Sequence, residues 1–144
     1  MNSRLETAKK FSLAYRQVCK PLCRELGLPQ TAFDILMFLG NNPGYKTARD
    51  IVEIRRIKAN LVSVHVDRLV REGYLQRQQV PGDRRKTELH CTDKAQPVIA
   101  KGRLLQEKFF EKLFDGMEQE ERDAFSAALH RIEENLDMIL EEET

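Results

Sequence analysis

Apolar residues recur along this chain at helical spacing in several blocks, and one short stretch between them alternates instead. Near the start, Phe11, Tyr15, Val18, Leu22 and Leu26 fall four, three, four and four apart. That is one stripe of a helix. Pro21 lies inside it and predicts a kink or a loosened turn, because proline lacks an N–H and crowds the carbonyl four residues back. A second helix is predicted over residues 30–39, closed by the breaker cluster Gly40-Asn41-Asn42-Pro43-Gly44. A third runs to Arg56 behind Thr47 as N-cap. A fourth runs from Ala59 to Glu72 and stops at Gly73, a good C-terminal cap.

In the fourth helix Val62, Val66 and Leu69 form the apolar stripe. Asn60, Ser63, Asp67, Arg68 and Arg71 fall on the opposite, polar face, with Val64 among them. The period then drops to two. Residues 73–79 and 87–92 read as strands, joined by Val80-Pro81-Gly82-Asp83-Arg84-Arg85-Lys86. Proline pre-sets φ and glycine tolerates positive φ, so Pro81-Gly82-Asp83 predicts a turn and the whole a half-buried hairpin. Helical period returns from Asp93 to Phe114, with Pro97 near the first turn, where a missing N–H costs little. The last helix starts near Met117. It carries Phe125, Leu129, Ile132, Leu136, Ile139 and Leu140, a coiled-coil-like seam.

These elements predict a mostly α fold with one small β-hairpin. Two helices joined by a short turn, followed by a hairpin, is the order of a winged helix-turn-helix. At 144 residues the chain is expected to be a single domain, 1–144. Within it, 30–92 reads as the winged helix-turn-helix, and 1–28 with 93–144 as N- and C-terminal dimerisation helices. The long terminal helices carry more apolar stripe than a small hairpin domain can cover. A symmetric partner would bury the excess, giving a homodimer; the other arrangement is a monomeric helical bundle.

Charge changes the picture because it is unevenly placed. The net charge is +1, yet residues 46–94 hold twelve cations against seven anions, a net +5, and residues 115–144 hold two cations against eleven anions, a net −9. The basic middle is an electrostatic footprint for nucleic acid, and the acidic end is expected to face away from it. Three consecutive cations on a hairpin are poorly explained by core building. They are well explained by an arm reaching for phosphates and a narrow, electronegative groove. The expected DNA-facing residues are Lys58, Asn60, Ser63, Val64 and Arg68 on the fourth helix, and Asp83, Arg84, Arg85 and Lys86 on the hairpin. Asn60 and Ser63 have the chemistry to read base edges, whereas Arg68 is as well suited to phosphate. The expected partner is double-stranded DNA with a pseudo-palindromic operator that mirrors two-fold protein symmetry.

The run Val66-Asp67-Arg68-Leu69-Val70-Arg71-Glu72-Gly73-Tyr74-Leu75-Gln76-Arg77, followed by Asp83-Arg84-Arg85-Lys86-Thr87-Glu88-Leu89-His90-Cys91-Thr92, resembles the MarR family of bacterial transcription regulators. That family carries a DRLE-x-x-G-L-V-x-R stretch and then a D-x-R-x-x-x-L-x-L-T wing. Cys91 stands where an aliphatic residue usually precedes the threonine, and His65 and Val64 stand where the family often has leucine and arginine. The likeness extends in layout to the long first helix and the two long C-terminal helices. It implies that Asp83 orients Arg85 and that Arg85 enters the minor groove, while Arg84 and Lys86 meet phosphates. It also implies a repressor released by a small ligand in a cleft between the dimerisation helices and the DNA-binding region. The residues expected to line that cleft for an aromatic ligand are Tyr15, Cys19, Phe33, Met37, Phe109 and Phe110; the other reading is that all six fill the core.

Other chemistry is thin. Three cysteines without a secretory signal point to reduced thiols, and a cytoplasmic location is expected. No apolar run approaches the ~20 residues of a membrane span. Cys19 and Cys23, four apart, read either as small core hydrophobes or as a thiol-based redox sensor with Arg16, Lys20 and Arg24 nearby. His65 lies beside the apolar stripe and reads as packed or half-buried. His65, His90 and His130 are far apart and no metal spacing appears, so neither a metal nor a cofactor is expected. No nucleophile–base pair or phosphate-cradling loop supports an enzyme. The rival to a DNA-binding regulator is a winged-helix module that binds protein.

Overall fold

A computed structural model describes residues 3–142. Residues 1–2 and 143–144, the extreme ends of the segments expected to dimerise, lie outside them. The element order is α1 (Ser3–Leu26), α2 (Gln30–Asn41), α3 (Ala48–Arg55), α4 (Ala59–Arg71), β1 (Leu75–Val80), β2 (Asp83–Cys91), α5 (Ala95–Leu113) and α6 (Gln119–Glu142). The predicted elements are all present. The helix α1 runs through Pro21 as one element.

The helix α2 is the centre of the first compact unit, which extends to Phe109. Ala32, Phe33 and every residue from Ile35 to Leu39 are buried. A helix apolar over most of its circumference must be largely surrounded, and α2 is. It packs on Cys19, Leu22 and Cys23 of α1, Val62, Val66 and Leu69 of α4, and Val98 and Ile99 of α5, all in one core cluster. The approach of α5 depends on Gly102: a Cβ there would sit 2.3 Å from the Met37 sulfur and 3.2 Å from Phe33 Cζ. Arg103 closes the C-terminus of α2, donating from Nη2 to the Gly40 carbonyl at 2.7 Å and from Nε to Asn41 at 2.9 Å. The Gly40 carbonyl is an orphan acceptor of the helix end, the Asn41 contact is to its side-chain oxygen, and a cation suits the dipole there.

The second unit begins at Phe110. Phe114 packs edge-on to Phe125 with centroids 5.5 Å apart, and Arg122 donates to the Phe114 carbonyl at 3.1 Å. These contacts fix the turn into α6. Beyond it α6 has no buried residue, and Phe125, Leu129, Ile132, Leu136 and Ile139 are between 40% and 54% exposed. The predicted seam is present on α6, and its residues are exposed.

Candidate nucleic-acid interface

The candidate interface is built on α3, α4 and the hairpin. A capping box starts α3: the Thr47 hydroxyl accepts from the Asp50 N–H at 3.1 Å, and the Asp50 carboxylate accepts the Thr47 and Lys46 N–H groups at 3.1 and 3.0 Å. Partial burial works to raise the Asp50 carboxyl, but the hydrogen bonds from Thr47 and Lys46, with Lys86 nearby, outweigh it and hold the group low. The helix ends at Arg56 in the left-handed region, φ 56°. Lys58 then caps α4 with extended geometry, its carbonyl accepting from Leu61 and Val62 at 3.0 Å.

Val62, Val66 and Leu69 turn into the core. Lys58, Asn60, Ser63, Val64, Asp67 and Arg71 are exposed, and His65 is half-buried. Ser63 lies to one side of that outward face. With Arg49, Val52 and Thr87 it lines a cleft of about 420 Å³ between α3, α4 and the hairpin. Arg68 departs from the sequence expectation of a groove-facing cation. Its Nε donates to Glu72 and its Nη2 to the Gly27 carbonyl, both at 2.8 Å. Asp67 is engaged too, in an ion pair with Arg77 of β1.

The hairpin differs from its sequence outline in a way that bears on function. Its strands close much nearer the turn than predicted, with Val80 opposite Asp83 across Pro81-Gly82 and Gly82 at φ 84°. That positive φ after proline is type II turn chemistry. Gln79 then pairs with Thr87, so Arg84, Arg85 and Lys86 lie between two successive pairings and oppose no residue of β1. The three cations form a bulge, and all three are exposed. Bulges re-aim side chains out of the ladder. Asp83 braces this one by accepting the Arg85 backbone N–H at 3.0 Å; the contact holds backbone rather than the guanidinium. At the other end Leu89 donates to the Lys46 carbonyl at 2.6 Å, and Tyr74, Leu75 and Leu89 are buried. The base of the hairpin is therefore fixed and its tip is presented.

The six residues expected to line a ligand cleft divide by burial. Cys19, Phe33, Met37 and Phe109 are buried in packed surroundings. Tyr15 packs edge-on to Phe109 at 5.3 Å and accepts from Gln106 at 2.9 Å, while Phe110 is exposed in the second unit. A cleft of about 650 Å³ instead opens at the α1–α2 corner, lined by Arg16, Lys20, Arg24, Gln30 and Arg68 among others. Burial raises the Cys19 thiol, pushes Cys23 up to about 11 and raises Cys91. All three are free cysteines. Such thiols hold little thiolate at neutral pH, which opposes the sensor reading. Among the described residues no group of His, Cys, Asp or Glu is placed to hold a metal, and no helix is long and apolar enough to cross a membrane.

Sequence reasoning missed Arg56, Leu61 and the Asp67–Arg77 pair. The composition around residues 46–94 signals cations in general, but nothing local marks a positive φ at an arginine.

Helix-turn-helix followed by a hairpin defines a winged helix-turn-helix protein. Residues 26–86 match the model of the MarR family. The chain also superposes on solved structures. One is a MarR protein from Peptoclostridium difficile, 21% identical over 94% of this chain and 88% of that one, TM-score 0.82. Another is a MarR family transcriptional regulator from Listeria monocytogenes complexed with a 26mer DNA, 20% identical over 94% and 90%, TM-score 0.84. A third is a MarR transcriptional regulator from Methanosarcina mazei, 22% identical over 92% and 97%, TM-score 0.77. At such identities the superpositions speak for the fold. No curated protein matches the sequence. Residues 26–86 thus resemble the MarR family, and the superpositions extend the shared winged helix-turn-helix fold over nearly the whole chain.

Proposed function

We propose that the chain acts as a cytoplasmic homodimeric repressor of transcription, binding a pseudo-palindromic operator. In this reading α4 lies in the major groove and the hairpin is a wing whose tip reaches the minor groove. The observation that carries it is the bulge at Arg84-Arg85-Lys86, which lifts three cations clear of the ladder on a hairpin anchored to α4 through Arg77 and Asp67. A relative in the Listeria structure is bound to DNA, which supports the same reading here. Arg85 enters the minor groove, Arg84 and Lys86 meet phosphates, and Asn60, Ser63 and Val64 face bases.

Homodimerisation is supported by the uncovered apolar face of α6, since contiguous exposed apolar surface marks a contact site. Relief by a small ligand is assigned to the cleft at the α1–α2 corner, whose cations favour an aromatic acid. Arg68 lines that cleft and also braces α4 against Gly27, so a ligand there could bias the groove helix. The test is selection from random duplex DNA, followed by titration of the selected site at rising salt. Specific enrichment with a steep loss of affinity as salt rises is expected, because phosphate contacts release counterions. No enrichment, or binding indifferent to salt, would sink the reading.

A further inference from the structure

The outward ridge of α4 carries an exposed apolar residue among its polar ones. With Val62, Val66 and Leu69 turned inward, the 100° step of a helix aims position 64 almost directly away from the core. That residue is Val64, 61% exposed. Leu61, three residues earlier and so beside it on the helix surface, is 43% exposed. Neither belongs to the core cluster. Helix formation does not call for valine either, since alanine and the long polar residues are better helix formers.

The surroundings say what this apolar spot faces. Arg55, Arg56 and Lys58 on the turn into α4 and Arg71 at its end are exposed and outnumber the exposed Asp67, and the wing adds Arg84, Arg85 and Lys86. That charge complements a phosphate-rimmed groove rather than an apolar protein surface. Within the major groove the one apolar group that a base pair offers is the C5-methyl of thymine. We propose that Val64, with Leu61 beside it, selects thymine in each half-site by packing against that methyl. The proposal rests on the DNA reading above.

The test separates the two. A site is selected from random duplexes with the full-length protein, and each thymine of a half-site is replaced singly by deoxyuridine, which keeps every hydrogen-bonding group and lacks only the methyl. At one or two positions Kd should rise roughly three- to tenfold, the scale of burying one methyl. Val64→Ala leaves the helix intact, since the side chain is exposed and alanine is a better helix former. In that variant the uridine penalty should fall below about twofold, the non-additivity expected of groups in contact. Uridine tolerated at every thymine, a selected half-site with no thymine, or an equal penalty in the parent, Val64→Ala and Leu61→Ala would each overturn the proposal while leaving DNA binding in place. If no sequence is enriched at all, the DNA reading falls and this proposal with it.

Discussion

Arg68 of α4 donates from Nη2 to the main-chain carbonyl of Gly27, 2.8 Å away at the corner between α1 and α2. Its Nε holds Glu72 at the same distance. A guanidinium engaged within the protein at Nε and Nη2 acts as a strut, fixing α4 against the corner between the first two helices. Arg68→Ala should lower stability by about 1 kcal/mol, the low end for hydrogen bonds to charged groups, given its partial exposure. It should weaken DNA binding through misplacement of α4 while leaving the salt slope unchanged. Urea unfolding and a salt titration of the variant decide it. A slope reduced by about one contact, with an unchanged urea midpoint, would mean that Arg68 meets phosphate instead.

The wing prediction is the complement. Arg85 sits in the bulge, exposed, with its backbone held by Asp83. Arg85→Ala should cost about 1–3 kcal/mol of binding to a selected operator with an unchanged melting temperature. Asp83→Ala keeps the cation and loosens its placement, so its loss should be smaller. Equal affinity for the Arg85 variant and the parent would remove the wing from the interface.

Arg56 carries a backbone conformation that an L side chain seldom adopts, φ 56° between α3 and α4. Glycine adopts it without strain, so Arg56→Gly should stabilise the fold by about 1 kcal/mol. If the cation serves the phosphate backbone, the same change should weaken DNA binding for all sequences alike. A thermal melt and one salt titration report both effects. A variant less stable than the parent would show that the Arg56 side chain holds the turn.

Much of this was legible in the sequence, and the parts that were not share a cause. Helix boundaries came from period and caps: Thr47 and Gly73 work as local signals, and the structure places them where those signals do. The roles of long polar side chains did not follow, because they depend on non-local partners. Arg68 looked like a groove residue by helical phase, yet its partner Gly27 is forty-one positions away. The packing of the expected ligand lining was not legible for a similar reason. Phe33, Met37 and Phe109 are apolar, and only the close approach at Gly102 shows that Phe33 and Met37 are packed against α5 with no gap. The bulge at Arg84-Arg85-Lys86 is a matter of register, and a three-residue slip leaves no mark on composition.

Asp34 gives a pH signature of the core. Burial raises its carboxyl, while Gln30, Arg55 and Arg16 work to lower it; Gln30 donates to it at 2.8 Å. A carboxyl whose folded pKa lies above its unfolded value costs nothing below the unfolded value of about 3.9. Stability is lost as pH rises from there through the folded pKa, and the penalty is constant above it. Asp34→Asn removes the charge and keeps an acceptor for Gln30. The variant should therefore be more stable than the parent at pH 7 and equal to it near pH 3. Parallel stability curves across that range would show that Asp34 is not destabilising when ionised.

The last prediction concerns assembly. Leu129, Ile132, Leu136 and Ile139 line one side of α6 at spacings of three and four, all exposed in the single chain. Isolated exposed apolar residues are ordinary, but a continuous row on a long helix is a contact surface. A second copy is the natural occupant under this reading, because a two-fold operator requires a two-fold protein. Leu129→Asp combined with Leu136→Asp puts two carboxylates into that row. Neither side chain is buried within one chain, so the protomer should keep its helix content and melting cooperativity. At an interface each unpaired charge costs several kcal/mol, which is enough to move a micromolar dimer beyond reach. Sedimentation should therefore show dimer for the parent and folded monomer for the double variant, and the monomer should bind a half-site far more weakly than the dimer binds the full operator. A parent that sediments as monomer at micromolar concentration, or a double variant that stays dimeric, would take α6 out of the interface.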